Sequence, residues 1–366
     1  MQSEGHSPVY GVILAGGFGE RLWPVSTKKY PKYCLCIGDS RKSLLQQAYE
    51  RLNSIAPKDK ILVVTQNSQL GIIRKQLPGL LKRNIIAEPF RKNTAAAIGL
   101  AAIIIRKAQP DAVMVVVPAD QFIPDKAAFS RLMKSAVSSI RMNNSLLTIG
   151  IKPTYPATGY GYIKRVTSHQ SPVTSKKYKA YKVASFVEKP DIQRAKRFVK
   201  SGYLWNSGMF VWRADAILAG IRSHMPGLFN RLLQIGPVFN SRKLAGIYKT
   251  LDNISIDYGV LEKSKDVFVM SADIKWDDVG SWISMMKALG ADKNGNEIDA
   301  NFKGMETEDC VVISKNKKHL IASFGLKGVI VVQSPNATLL CSNKHAERLK
   351  EMVNYINSDN KTKRFC

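Results

Sequence analysis

The chain has 366 residues, 45% of them hydrophobic and 23% charged, with 55 Lys plus Arg against 28 Asp plus Glu for a net charge of +27. This length and apolar content exclude a disordered chain and allow two domains rather than one. The basic residues form small clusters (Lys28 and Lys29, Lys176 and Lys177, Lys315 with Lys317 and Lys318) and no basic arm, which favours a generally basic surface over a nucleic-acid face. Five cysteines, at 34, 36, 310, 341 and 366, show no metal-ligand spacing, and so few in a large chain fit a reducing, cytoplasmic setting. Cys34-Leu-Cys36 reads as packing on one face of a strand. The N-terminus has no signal-peptide pattern, and the longest apolar run, residues 95–105, is too short to span a bilayer, so no membrane partner is expected.

In chain order, VYGVILA (9–15), KILVVTQ (60–66), NIIAEP (84–89), AVMVVVPAD (112–120) and LLTIGI (146–151) are short apolar runs suited to strands buried on both faces. Helical patterns lie between them at about 42–54, 68–78, 93–109 and 126–142. This alternation predicts an α/β fold with a doubly wound, mostly parallel sheet, in which ligands sit beyond the carboxyl ends of the strands. The middle, 152–280, mixes strands (YGYIKRV, YKVASFVEKP, WNSGMFVW, VFVMSADIKW) with a helix after Pro190. The polar stretch ADKNGNEIDANFKG (291–304) reads as a linker, and a small β-rich domain follows, closed by a helix near 344–357. No internal repeat is evident.

The run AGGFGERLWPVSTKKYPK (15–32) packs a glycine turn against an arginine and three lysines. A P-loop needs Gly-Lys-Ser/Thr at its end, and the dinucleotide fingerprint needs a third glycine where Leu22 stands and an acid ending the next strand, where Thr65 and Gln66 stand. Both readings fail. What remains is a turn whose backbone N–H groups approach an anion closely, with Arg21 and Lys32 beside it.

That run resembles the signature of the sugar-phosphate nucleotidyltransferases, and of the mannose-1-phosphate guanylyltransferases in particular. AEPFRKNTAAAIG (87–99), VPADQFI (117–123), FVEKP (186–190), LWNSGMFVW (204–212), SIDYGVLEK (255–263) and WDDVGSW (276–282) follow in the same order. The resemblance implies a Rossmann-like nucleotidyltransferase catalytic domain over 8–290 and a small C-terminal β-helix-like domain over 303–357. Phe18, Tyr33 with Cys34, Lys92 and Gln121 depart from the family's usual residues, but none replaces an acid, arginine or lysine with an expected catalytic role.

The reaction implied joins a sugar 1-phosphate to a nucleoside triphosphate and releases pyrophosphate, with GTP and mannose 1-phosphate as partners and Mg²⁺ as cofactor. Such a transfer needs no side-chain nucleophile, in keeping with five scattered histidines (6, 169, 224, 319 and 345) read as non-catalytic. By the resemblance, the amides of Gly16, Gly17 and Gly19 cradle the triphosphate. Arg21 holds the leaving pyrophosphate, Lys32 neutralises charge at the α-phosphate, and Asp120 and Asp278 ligate the metal, Asp278 being preferred to Asp277. Lys189 takes the sugar phosphate, and Glu188, Asn206 and Asp257 take sugar hydroxyls, with Gly159 close by. Glu88, Asn93 and Thr94 line the nucleoside side. Trp23 and Trp205 read as packing. The resemblance also allows a homodimer, and the chain's length leaves no room for the fused isomerase domain of longer family members, so no isomerase activity is expected. Two alternatives stand beside this reading: the same chemistry on another hexose or heptose 1-phosphate or another nucleotide, and a non-catalytic protein that binds nucleotide sugars.

Overall fold

The computed structural model describes residues 7–37, 41–142, 144–170, 178–235, 241–287 and 290–366. Lys176, Lys177 and His6 lie outside them, as does the side chain of His169. The chain packs as two units. The first comprises the residues through Gly16, Ala48–Ala119 and Ile123–Trp276; the second comprises Gly17–Gln47, Asp120–Phe122 and Asp277–Cys366.

The first unit is built on nine strands: β1 (Val9–Ala15), β2 (Ile61–Gln66), β3 (Ile85–Glu88), β4 (Val113–Pro118), β5 (Leu146–Ile151), β6 (Tyr162–Gln170), β7 (Ala180–Val187), β8 (Leu204–Arg213) and β9 (Val267–Ala272). Their order in the sheet is β3-β2-β1-β4-β8-β5-β9-β7-β6. Helices α1 (Leu44–Asn53), α2 (Leu70–Gln76), α3 (Asn93–Ala108) and α4 (Lys126–Met142) fall where the apolar periodicity puts them. They are followed by α5 (Ile192–Lys200), α6 (Ala214–His224), α7 (Pro226–Leu233) and α8 (Ser241–Lys249). Helix α5 starts after Pro190 because Asp191 caps it, its Oδ1 accepting from Arg194 N at 2.8 Å.

The α/β class stands, with one addition. The β3-β2-β1-β4 half is parallel throughout, whereas β8 runs antiparallel to both β4 and β5, and β7 antiparallel to β6 and β9. Parallel neighbours need helical crossovers, and the first half has one between each pair of strands; β6 and β7 pair instead as antiparallel neighbours. One face of the sheet, with Val12, Val64, Met114 and Trp212, packs against α3, α6 and α7. On the other face Gly11 leaves room for Leu52 of α1, since a Cβ there would stand 2.9 Å from Leu52 Cδ1. The parallel register brings Ala15 beside Thr65 and Leu14 beside Pro118, and sets Glu88 against Gln66, so four carboxyl ends line one edge.

The second unit carries α9 (Trp282–Lys287), strands β10 (Glu297–Asp299), β11 (Asn301–Met305), β12 (Val311–Ser314), β13 (Leu320–Phe324), β14 (Val329–Gln333) and β15 (Thr338–Ser342), and α10 (Leu349–Ser358). Strands β10, β12 and β14 stack in parallel, and so do β11 and β13, which makes successive coils of a β-helix. The stretch expected to be a linker therefore supplies β10 and β11. Most of its polar residues are exposed or half-buried, Asn296 being the buried exception, which is why composition alone reads as loop. The pairs Asn301–Leu320 and Val311–Ile330 share an offset of 19 residues, a structural repeat that among the paired residues only the identity of Val312 and Val331 marks. Its core joins Leu22, Trp23, Val279 and Trp282 to Ile313, Ile330, Val332 and Val353. Cys34 and Cys36 do not share a strand: Cys34 is buried at the end of a short 3₁₀ turn (Lys32–Cys34), and Cys36 is exposed.

Candidate active site

In the second unit the glycine turn is tied to Lys32. Gly19 has φ 75°, a left-handed conformation that favours glycine, and a Cβ there would collide with Lys32 Cβ. Lys32 N donates to Phe18 O at 3.1 Å, and Ser26 Oγ donates to the same carbonyl. A Cβ on Gly16 or Gly17 would meet nothing within 4 Å. Lys32 is buried, 6% exposed, and its ammonium is held on two sides. It pairs with Asp120 Oδ2 at 2.8 Å and donates to the main-chain oxygen of Asp278. Asp120 follows β4 by two residues. Its segment is knit to the Asp278 turn because Phe122 and Asp277 exchange both backbone bonds, at 2.9 and 3.0 Å.

The two neighbouring aspartates of WDDVGSW do different work. Asp277 Oδ1 accepts from Val279 N at 2.6 Å and from Ser284 Oγ, and burial raises its pKa. It holds the turn, where Val279 takes φ 51°. Asp278 Oδ1 accepts from Gly280 N at 3.0 Å, and a Cβ on Gly280 would stand 2.7 Å from Asp278 Oδ2. Arg21 is half-exposed and pairs with Glu347 at 3.7 Å, a surface pair of small energy.

A second group of expected residues is assembled in the first unit. Asn206 on β8 donates through Nδ2 to Asp257 Oδ1 at 2.8 Å. Its Oδ1 accepts from Thr148 Oγ1 at 2.9 Å and Gly208 N at 3.2 Å, and the latter, a donor only, sets which way the amide faces. Asp257 opens a short π-helical turn (Asp257–Leu261) of the kind common at functional sites. Burial first, and Glu188 second, push its carboxyl up to about 6. Glu188 N donates to Glu262 Oε1 at 3.0 Å, and Lys189, at φ 45°, sets its exposed ammonium 3.2 Å from Glu188 Oε1.

Gly159 lies in an exposed loop, and its neighbour Gly161 takes the crowded position instead. A Cβ on Gly161 would collide with Glu188 Oε2 and stand 3.3 Å from Asn206 Cβ. Glu88, at the end of β3, is 5% exposed and accepts from Tyr248 Oη at 3.2 Å; burial raises its carboxyl to about 7 against the pull of Tyr248 and Arg91. Asn93 begins α3 at φ 66°, and Thr94 Oγ1 accepts from Ile256 N at 2.9 Å.

Sequence reasoning missed Thr148, Gly161, Tyr248 and Glu262. Gly161 carried a signal as the second glycine of ATGYGYI, and Glu262 stands within SIDYGVLEK. Trp23 and Trp205 do pack. Trp23 Nε1 donates to Phe365 O at 2.8 Å, and the Trp205 ring meets Tyr155, Tyr160 and Trp276 at centroid distances of 5.0, 4.9 and 6.4 Å.

Among the described residues no group of three or more His, Cys, Asp or Glu stands together to hold a metal. Asp120 and Asp278 nevertheless fit a hard divalent cation. Mg²⁺ keeps several waters and binds through one or two carboxylates plus substrate phosphates, and a carboxylate's hard oxygens suit it.

A model of nucleotidyl transferases matches residues 10–295, and a model of the mannose-P isomerase/GMP-like β-helix domain matches 301–356. The chain is 34% identical to the mannose-1-phosphate guanylyltransferase of Escherichia coli (strain K12), over 96% of this chain and 74% of that protein. It is 32% identical to the alginate biosynthesis protein AlgA of Pseudomonas syringae pv. tomato, over 96% of this chain and 72% of that one. A crystal structure from Thermus thermophilus, described as a mannose-1-phosphate geranyltransferase, matches with a TM-score of 0.83 at 28% identity, over 95% of this chain and 99% of that one. The glycine turn, the VPAD strand end and the WDDVGSW turn all fall inside the first matched region, and the stacked coils fall in the second: the chain belongs to the nucleotidyl transferase family, with a β-helix domain following the catalytic one.

Proposed function

We propose that the chain transfers a guanylyl group from GTP to mannose 1-phosphate, giving GDP-mannose and pyrophosphate. The observation that carries this reading is the meeting of the Asp120 carboxylate and the Asp278 main-chain oxygen on the buried Lys32 ammonium, with Gly19 of the glycine turn packed against the same lysine. Mannose-1-phosphate guanylyltransferases a third identical over nearly the whole chain support the choice of base and sugar.

The nucleophile is the anionic oxygen of the sugar phosphate. It forms a bond to the α-phosphorus as the bond from that phosphorus to the bridging oxygen of the β-phosphate breaks, and the electron pair leaves with pyrophosphate. No proton has to move, so catalysis is positioning and charge stabilisation. The amides of Gly16, Gly17 and Gly19 donate to the triphosphate. Lys32, held by its two partners, neutralises charge at the α-phosphate. Arg21 exchanges Glu347 for the oxygens of the departing pyrophosphate, for which its planar fork is suited. Asp120 and Asp278 would hold Mg²⁺, which when bound offsets phosphate charge and draws electron density from the phosphorus.

Lys189 takes the sugar's phosphate, and Glu188, Asn206 and Asp257 take its hydroxyls, with Gly159 in the loop beside them. Asn93 is assigned to the nucleoside. The five free thiols fit a reducing compartment, and we place the reaction in the cytoplasm. No helix among the described residues is long and apolar enough to cross a membrane. Incubating the full chain with GTP, mannose 1-phosphate and MgCl₂ should yield GDP-mannose by ion-exchange chromatography, at a higher rate than any pairing with ATP, UTP, dTTP or other hexose 1-phosphates. Absence of product overturns the reading; a faster pairing moves the substrate and leaves the chemistry.

A further inference from the structure

The segment AEPFRKNTA (87–95) reads in the sequence as nucleoside-lining, yet its polar groups are engaged elsewhere in the first unit. Tyr248 Oη donates to Glu88 Oε1 at 3.2 Å. Lys92 Nζ donates to the main-chain oxygens of Leu251 and, at 3.3 Å, Lys249. Ala95 N donates to Ile254 O at 3.3 Å, and Ile256 N to Thr94 Oγ1 at 2.9 Å. Five bonds thus run in step along 248–256, and the next residue is Asp257. The last of them matters most. Ile256 is fully buried and immediately precedes the π-helical turn, where backbone N–H groups lack partners within the helix. The Thr94 hydroxyl satisfies that N–H, and a buried donor left without a partner would pull its neighbours out of place.

We propose that Thr94 is a positioning residue for Asp257: the 88–95 segment clamps 248–256 and so sets where the carboxylate that receives the sugar stands. The inference rests on the reading of Asn206 and Asp257 as the sugar side. It assigns Thr94 to recognition of mannose 1-phosphate rather than of GTP.

The test compares Thr94→Val, which keeps shape and removes the acceptor, with Thr94→Ser, which restores it, in the full chain. In Thr94→Val the KM for mannose 1-phosphate should rise about tenfold, the scale of one lost hydrogen bond, with kcat and the KM for GTP within about twofold. Thr94→Ser should return near wild-type values. Amide hydrogen exchange at Ile256 should quicken in Thr94→Val alone. A rise confined to the KM for GTP, failure of the serine variant to rescue, or unchanged exchange at Ile256 overturns the proposal. If the wild-type chain makes no GDP-mannose, the functional reading falls, while the Ile256 exchange rate still decides whether the clamp exists.

Discussion

The Lys32–Asp120 pair of the second unit and the Asn206–Asp257 pair of the first both close at 2.8 Å, yet the chain holds them differently. Lys32 and Asp120 are a full ion pair fixed by loops: a left-handed glycine under the lysine, a strand end that carries the aspartate, and the 277–280 turn behind both. Asn206 is an amide on a regular strand, oriented by Thr148 and Gly208 before it meets a buried carboxylate. Mobile phosphate charge calls for cations whose partners are exchangeable. A neutral sugar calls for fixed donors and acceptors, where one misplaced hydroxyl contact leaves a buried polar group unpaired. With the proposed roles, the comparison divides the expected effects of mutation: changes at the first pair should act on rate, changes at the second on sugar affinity.

The largest effect is expected at Lys32. Lys32→Met should lower kcat for pyrophosphate release by about 10²–10³-fold, the scale of one preorganised donor, with little change in the KM for mannose 1-phosphate. A rise in that KM with kcat intact would erase the division. Next comes Gly19→Ala, which forces a Cβ into Lys32 at a left-handed φ and should cost about 2 kcal/mol of stability by denaturant titration as well as activity. Gly16→Ala, whose Cβ has open space, is the control and should leave the midpoint unchanged.

On the sugar side, Asp257→Asn should raise the KM for mannose 1-phosphate about tenfold with kcat nearly kept. Because burial raises the Asp257 carboxyl to about 6, kcat/KM for the sugar should fall as pH drops through about 6, and the asparagine variant should lose that limb. A pH profile identical in the two proteins would count against the assignment. The smallest effect on turnover is expected at Glu88. Its carboxyl rises from 4.5 to about 7 in the fold, so the neutral form is favoured; its contribution to stability is full below pH 4.5 and is lost as pH rises through about 7. Glu88→Gln, measured by urea unfolding at several pH values, should flatten stability over that window.

Much of this was legible in the sequence. The β-branched runs at 9–15, 61–66 and 113–118 gave the parallel half of the sheet through their apolarity alone, and the seven motifs contain Lys32, Asp120 and Asp278 of one group and Glu188, Asn206 and Asp257 of the other. Pairings between distant segments were not legible. Nothing local tells Asp120 that Lys32 lies 88 residues upstream, or tells Thr148 that it will orient Asn206. Composition misled at 291–304, where β-helix strands with outward polar faces look like a linker, and at Cys34 and Cys36, where alternation suggested a strand and the chain makes a short turn. The bond that Thr94 accepts from the Ile256 amide was not legible either, because no local pattern announces a partner 162 residues away.

The central claim is a single in-line displacement with no side chain bonded to the nucleotide on the way. The most direct test is the stereochemical course at the α-phosphorus, with mannose 1-phosphate and a single diastereomer of GTP carrying sulfur on that phosphate. The account predicts inversion in the thio-GDP-mannose formed. Retention would require two displacements through a guanylylated residue and would contradict it.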